Sequence, residues 1–368
     1  MMKILHIITR IANGGSEQRL IDALRSVPAA TTVVVSGDLT GIGRLDGLPN
    51  APTVIHEPTL RREVHIPNDL KCFNQIRRII RDEIPDIIHT HQAKAGLIGR
   101  LANLSFSIPL VHSYSMASHG PGYAVFQNLI FRSVEKRTAF AVDRYVTVGE
   151  DLRRRQISLG IRPDHIEVVR SAIQLSDHLA RNSRLTAVDD PNACHILYVG
   201  SLDGRKGVLS LAPFACQVRE ELGRPVHLRI AGDGPLKGQL DRLASDVPDG
   251  VTMELLGYRT DIPELMGSAD LAVLLSSAEG LPQFLVQAAA SGLPFASYHV
   301  DGTTELLNMG ATGVIAPIGD VSGLAAQVAN LLSTETRLCA DNIFTSWEQS
   351  TVLEQYRNIY ISMFSESA

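Results

Sequence analysis

Cysteine is scarce, and its placement excludes more than its number. The four cysteines of the 368-residue chain, Cys72, Cys194, Cys216 and Cys339, show no CxxC spacing. Neither a zinc knuckle nor a disulfide framework is expected, and buried free thiols are the plain reading. No run approaches the roughly 18 consecutive apolar residues of a membrane helix. The opening Met1–Thr9 stretch has an apolar core too short for a secretory signal and lacks a small-residue cleavage site after it, so a cytoplasmic location is expected. No GxGxxG follows a strand with an acidic residue downstream, which disfavours a dinucleotide dehydrogenase, and no P-loop with its lysine is present. No short tandem repeat occurs.

What is present is an ordinary globular composition, 45% hydrophobic and 20% charged, long enough for two cores. The net charge of −5 is unevenly spread. Residues 1–172 hold 22 Lys+Arg against 16 Asp+Glu, a net of +6, leaving −11 for the remainder. A basic first half suits an anionic surface or acceptor. An accidental asymmetry accounts for the same charge distribution without any partner.

Short β-branched runs alternate with amphipathic segments. Lys3–Thr9, Thr31–Ser36, Asp86–Thr90, Pro109–His112, Arg144–Val148 and Ile166–Val169 read as strands, with helices expected after Gly15, over Cys72–Ile84 and over Ala93–Leu104. The polar stretch 174–192 interrupts the rhythm. A second alternating run then follows: His195–Val199, Val226–Ala231, Thr252–Leu256, Leu271–Leu275 and Leu293–Ser297. This predicts an α/β protein of two Rossmann-like parallel-sheet domains, 1–173 and 193–340, joined by a linker over 174–192. The closing 341–368 segment reads as a terminal helix that crosses back to the first domain, with Phe344, Trp347, Leu353, Tyr356 and Tyr360 on one face.

Ligands of such sheets bind at the carboxyl ends of strands. Gly14 and Gly15 end the first strand, where backbone without Cβ can approach a phosphate closely. A ligandless tight turn fits them equally well. His89 and His91 close another strand. They are expected to point to opposite faces, so that they do not share a metal, with His91 towards the ligand. Lys94 follows at a helix start, placed to meet an anionic group. Arg205 and Lys206 sit at a strand-to-helix turn as diphosphate counter-ions. Ala231–Pro235 is a further glycine-rich strand end. The most informative block is Ser276–Gly292. An apolar strand ends in serines, Glu279 and Gly280 turn, Pro282 suits the first helical position, and Gly292 suits the position past the helix end. The amides near Phe284 and Leu285 are then phosphate donors, and Glu279 and Gln287 bond hydroxyls.

Taken together, these residues resemble the GT-B-fold retaining glycosyltransferases of family four, over almost the whole chain. The resemblance is carried by Gly14 to Glu17, Pro85 to His91 with Lys94 to Gly96, Arg170 to Ile173, Val199 to Leu202 with Lys206 and Gly207, Ala231 to Pro235, Leu256 to Tyr258, Ala269 with Asp270, and Ser276 to Gly292. The stretch from His89 to Arg100 is similar to the subgroup that builds bacterial capsules, exopolysaccharides and O-antigens. The resemblance implies two domains facing a central cleft. It implies transfer of a hexosyl or N-acetylhexosaminyl group from a nucleotide diphosphate, UDP above all, to a polysaccharide or lipid-linked saccharide. Retention of configuration and independence of metal come with it, since lysine and helix amides take the metal's electrostatic place. No cofactor is implied, because the nucleotide sugar is a substrate.

By the same resemblance His91 touches the transferred sugar or the donor phosphate, and Glu279 bonds a sugar hydroxyl. Gly14, Gly15, Ser201, Arg205, Lys206, Gly280, Leu281, Phe284 and Leu285 lie along the donor, and backbone at Gly257 and Tyr258 holds the base. Lys94 lies on the acceptor side. Peripheral contact with anionic membrane is expected through Arg77, Arg78, Arg81 and Arg153 to Arg155, and no nucleic acid partner is expected. Two departures stand out. Gln287 occupies a position that is usually glutamate, and Ser201 one that is often arginine, for which Arg205 is a substitute. A soluble small-molecule acceptor and a non-catalytic sugar-nucleotide-binding protein are the alternatives that follow.

Overall fold

A computed structural model of the chain describes residues 1–11, 15–48, 51–117, 125–174, 190–333 and 345–367. It divides into two compact units. The first is Met1–Ile173 with Ser346–Ala368, and the second is Gln174–Thr345. Of the expected linker, residues 175–189 lie outside the described residues.

In the first unit seven strands pair in parallel: β1 (Lys3–Ile8), β2 (Thr31–Ser36), β3 (Thr53–His56), β4 (Ile87–His91), β5 (Leu110–Tyr114), β6 (Arg144–Thr147) and β7 (Ile166–Val168). Their order is β3-β2-β1-β4-β5-β6-β7. The central strands are apolar throughout because helices cover both faces, as parallel sheets require. Ile4 and Ile8, of one parity in β1, lie on the same face and anchor two clusters there. Ile8 packs with Leu20, Leu24 and Val34. Ile4 gathers with Ile87, Val111 and Val146 and with Val352, Tyr356, Ile359, Tyr360 and Met363 of the terminal helix Gln349–Ser367. Burying Val352, Ile359 and Met363 alone is worth about 1.5–3 kcal/mol each. Trp347 docks beneath Arg170, 4.8 Å from guanidinium carbon to ring centre, and its carbonyl accepts the Ile173 amide at 3.0 Å.

The helix expected over Cys72–Ile84 runs over Ile66–Glu83. It starts earlier because His65 accepts the Asn68 amide, Pro67 lies in the first turn, and Asp69 faces the positive end. Leu101 and Leu104 mark the end of helix Ala93–Asn103, whose Arg100 is buried and pairs with Glu135 of helix Val125–Thr138 at 2.7 Å.

The second unit holds six parallel strands: β8 (Cys194–Val199), β9 (Val226–Ala231), β10 (Val251–Gly257), β11 (Leu271–Leu274), β12 (Phe295–Tyr298) and β13 (Gly313–Ala316). Their order is β10-β9-β8-β11-β12-β13. In each sheet the order reverses beside its first strand, between β1 and β4 and between β8 and β11. Such switch points are where open α/β sheets leave a crevice at the strand ends. Cys72 and Cys194 are buried free thiols and Cys216 is half-buried, whereas Cys339 lies outside the described residues. No helix among the described residues is long and apolar enough to cross a membrane.

Candidate active site

The β8/β11 switch point collects most of the charged residues singled out in the second half of the chain. After β8 the chain enters a short 3-10 turn, Gly204–Lys206. Its cap is Asp203, which accepts the Lys206 amide at 3.1 Å. Burial works to raise the Asp203 carboxyl and is outweighed by bonds from the Ser201 hydroxyl, at 2.7 Å, and that amide, so it is held below the ordinary range. Gly207 follows at φ +63°, and a Cβ there would sit 1.9 Å from the Leu275 carbonyl oxygen. Only glycine lets this turn press against the end of β11.

Two further bonds close the contact. The Ser277 amide donates to the Arg205 carbonyl at 2.9 Å, and Arg205 Nη1 donates to the Ala278 carbonyl at 2.9 Å. Lys206 Nζ thereby reaches Glu279 Oε1 at 2.6 Å, and Arg205 Nη1 stands 3.3 Å from the same oxygen. The pair is sheltered, with side chains 17% and 10% exposed for Lys206 and Glu279. Ser201 bonds Asp203 while Arg205 supplies the second cation beside Glu279, so the counter-charge at this turn comes from Arg205 and Lys206.

The other glycine turns brace this corner. Gly232, at φ +153°, abuts the Gly200 carbonyl, and its amide donates to Gly257 at 2.7 Å. Leu202 donates to Asp233 at 2.9 Å. The ends of β8, β9 and β10 are thus tied together, with Gly257 at φ +68° and Tyr258 exposed beyond it. On the other side, Gly280 and Leu281 are buried, and the Leu281–Pro282 backbone lies so close to Gly302 that a Cβ there would meet Leu281 Cα at 2.9 Å.

Helix Gln283–Ala290 starts one residue later than expected, with Pro282 as its cap in extended conformation, and Gly292 follows its end at φ +64°. The Leu285 amide donates to the Pro282 carbonyl at 3.0 Å. That commits it within the chain, so the earlier amides of Gln283 and Phe284 are the ones left to face a ligand. Gln283 and Gln287, four apart, share a face and are both half-buried.

The β1/β4 switch point is different in character. Gly14 lies outside the described residues, and Gly15 opens helix Gly15–Ser26. The expectation that His89 and His91 point to opposite faces is wrong. Strand side chains alternate with a period of two, so residues 89 and 91 share a face and Thr90 takes the other. The two rings lie 4.0 Å apart, centre to centre. Thr90 instead bonds His112 Nδ1 at 2.8 Å, where Gly96 and Gly99 let helix Ala93–Asn103 approach. His91 is the last residue of β4 and only 2% exposed. Lys94 donates to Asp69 at 2.6 Å and to the Glu63 carbonyl at 3.1 Å, which anchors it to the helix at Ile66–Glu83.

Sequence reasoning passed over His6, which joins the two strand-end histidines from β1, and Gln92. The latter follows His91 at φ 69°, ψ 155°, a conformation rare for residues with a side chain. Of the basic residues assigned to a surface, Arg77, Arg78 and Arg81 are exposed on one helix, Arg81 beside Asp82 at 3.6 Å, and Arg153 and Arg154 are paired with Glu150 and Asp151.

Two doubly wound parallel sheets, with lysine, arginine and glutamate gathered at a strand-order reversal beside a helix start, define a GT-B-type transferase. Residues 14–172 match the model of the glycosyl transferase 4-like domain, and residues 193–334 that of glycosyl transferases group 1. The chain belongs to this glycosyltransferase family.

It is 24% identical over 342 residues to a UDP-Gal:alpha-D-GlcNAc-diphosphoundecaprenol alpha-1,3-galactosyltransferase of Escherichia coli, covering 89% of this chain and 87% of that protein. It is 28% identical over 275 residues to the alpha-D-kanosaminyltransferase of Streptomyces kanamyceticus, covering 70% of each. The fold superposes on Anabaena HepE, solved with UDP-glucose, with a TM-score of 0.77 at 20% identity, covering 98% of this chain and 100% of that one.

Proposed function

We propose that the protein transfers a sugar from a UDP-sugar to a lipid-diphosphate-linked saccharide in the assembly of a cell-surface polysaccharide, with retention of configuration and without a metal ion. The observation that carries this reading is the Lys206–Glu279–Arg205 cluster at the start of helix Gln283–Ala290. Two cations and the first helix amides suit a diphosphate, and they do so electrostatically where other transferases use a metal. The Glu279 carboxylate, beside them, accepts hydroxyls of the sugar. His91 is assigned to the transferred sugar, and Gly257 and Tyr258 to the base. The activity of the E. coli relative supports the choice of UDP and of a lipid diphosphate.

The test is release of UDP from a panel of UDP-sugars, with and without N-acetylglucosaminyl-diphosphoundecaprenol in vesicles and with EDTA present. Acceptor-dependent turnover that survives EDTA and disappears in Glu279→Ala is expected, with an α-linked product from an α-linked donor. Turnover only with soluble aminoglycoside acceptors would favour a small-molecule acceptor instead. No UDP-sugar turned over, and none raising Tm, would remove the reading. The exposed Arg77, Arg78 and Arg81 face is assigned to anionic membrane. Replacing all three with glutamine should abolish sedimentation with phosphatidylglycerol vesicles.

A further inference from the structure

Three histidines, each buried, meet at the β1/β4 switch point. The parallel register sets His6 beside His89 and Ile8 beside His91. Ring centres lie 5.4 Å apart for His6 and His89, and 5.5 Å apart for His6 and His91. Four of the six ring nitrogens are committed. His89 Nδ1 bonds Tyr360 Oη at 2.6 Å, and its Nε2 bonds Ser113 Oγ at 2.8 Å. His6 Nδ1 bonds His91 Nε2 at 3.2 Å. The remaining two, His6 Nε2 and His91 Nδ1, are buried with no partner among the described residues.

Burial keeps all three rings neutral, lowering His6 to about 3 and His89 and His91 well below their ordinary value. A neutral imidazole has one N–H and one bare nitrogen. The bond between His6 and His91 must join an N–H to a bare nitrogen, so the state of His6 decides whether His91 Nδ1 is a donor or an acceptor.

The three ring nitrogens lie close enough to suggest a shared cation, but their lone pairs are already used. His89 spends both nitrogens on Tyr360 and Ser113, and His6 Nδ1 and His91 Nε2 are bonded to each other. Directly after His91, Gln92 is held at φ 69°, ψ 155°. Backbone strain of this kind is characteristic of positions that hold a ligand-contacting group in place.

We propose that His6 is a positioning residue. Its Nδ1 bond to His91 Nε2 fixes the tautomer and ring orientation of His91, so that His91 Nδ1 is presented as an uncharged hydrogen-bonding group to the nucleotide-sugar donor. This rests on the assignment of His91 to the donor made above.

The test uses the full chain labelled with ¹⁵N-histidine, comparing wild type, His6→Leu and His6→Asn. The asparagine amide retains a polar group near the place of Nδ1. Two-bond ¹⁵N–¹H spectra report the tautomer of His91 directly. A single tautomer is expected in wild type and His6→Asn, and a changed or mixed one in His6→Leu. With UDP-glucose as probe, kcat for UDP release should fall about 3- to 10-fold in His6→Leu, the worth of one net hydrogen bond. KM should be little changed, and kcat should recover in His6→Asn.

His91 signals in His6→Leu that superpose on wild type would overturn the proposal. So would an unchanged kcat beside an altered tautomer, or a zinc-induced rise in wild-type Tm that His6→Leu abolishes. If His6→Leu fails to fold, His6→Gln serves in its place, because its longer amide cannot reproduce the Nδ1 position. If wild type does not turn over UDP-glucose, the donor assignment fails by itself, while the spectra still decide the His6–His91 bond.

Discussion

Lys206→Met separates the binding role of the cluster from its part in stability. In the free protein Lys206 Nζ lies 2.6 Å from Glu279 Oε1 and Arg205 lies 3.3 Å from the same oxygen. Removing the lysine therefore leaves Glu279 a second cation, and the folding penalty stays near that of a half-sheltered pair, about 1 kcal/mol. A bound diphosphate has more to lose. A hydrogen bond to a charged group contributes about 1.5–3 kcal/mol, so UDP should bind about 10- to 150-fold more weakly. Glu279→Gln should behave in the opposite way. It keeps the shape but releases both cations from their carboxylate, so UDP affinity should hold or rise. UDP-glucose should then lose its advantage over UDP, because a neutral acceptor replaces a charged one. Calorimetric titration of UDP and of UDP-glucose into both variants at one ionic strength gives the comparison. A Lys206→Met affinity for UDP within about threefold of wild type would refute the assignment of Lys206 to the diphosphate, given the size of a charge-assisted bond.

Gly207→Ala places a Cβ 1.9 Å from the Leu275 oxygen at φ +63°. About 3 kcal/mol should be lost, lowering Tm by roughly 6–12 °C in circular dichroism. Arg100→Met leaves Glu135 buried without its cation. A loss of about 3–5 kcal/mol is expected by urea unfolding, and Arg100→Met with Glu135→Leu should recover much of it. Acid should weaken the first unit through the histidine cluster. His6 titrates near 3 when folded, because burial opposes its charge, and near 6.5 when unfolded. Between these values the unfolded chain binds a proton that the folded chain does not, so stability is complete above about pH 6.5 and falls as the pH drops. The His6 share of the loss at pH 5 is about 2 kcal/mol. Trp347, the single tryptophan and fully buried in this unit, reports the urea midpoint by fluorescence. His6→Leu should have the shallower acid slope, and an unchanged slope would remove His6 as its source.

The alternation of apolar strands with amphipathic helices was legible because both faces of a parallel sheet are covered, which leaves runs such as Lys3–Ile8 and Cys194–Val199 apolar from end to end. Thr53–His56 and Gly313–Ala316 were not legible. Each is four residues long and lies at a sheet edge, so neither period nor length distinguishes it from a loop. At the site, the glycines were readable as turns, but their purpose was not. Nothing local says that Gly207 must fit under the Leu275 carbonyl, since that contact joins residues 68 positions apart. The fate of Lys94 was hidden for the same reason. A lysine at a helix start reads as available to an anion, and only the fold brings Asp69 to it.

The histidines show a different limit. The parity of His89 and His91 follows from the strand period alone and was open to reading, whereas the part played by His6 was not. A histidine inside an apolar strand becomes chemically meaningful only through its neighbour in the sheet, and that neighbour depends on strand order. Residues 6 and 91 meet because β1 and β4 pair across the reversal of the first sheet, just as Lys206 and Glu279 meet because β8 and β11 flank the reversal of the second. Sequence identifies which strand ends carry polar chemistry. Topology decides which of them become partners, and a doubly wound sheet settles that at one place, where the first strand of each unit lies beside its fourth.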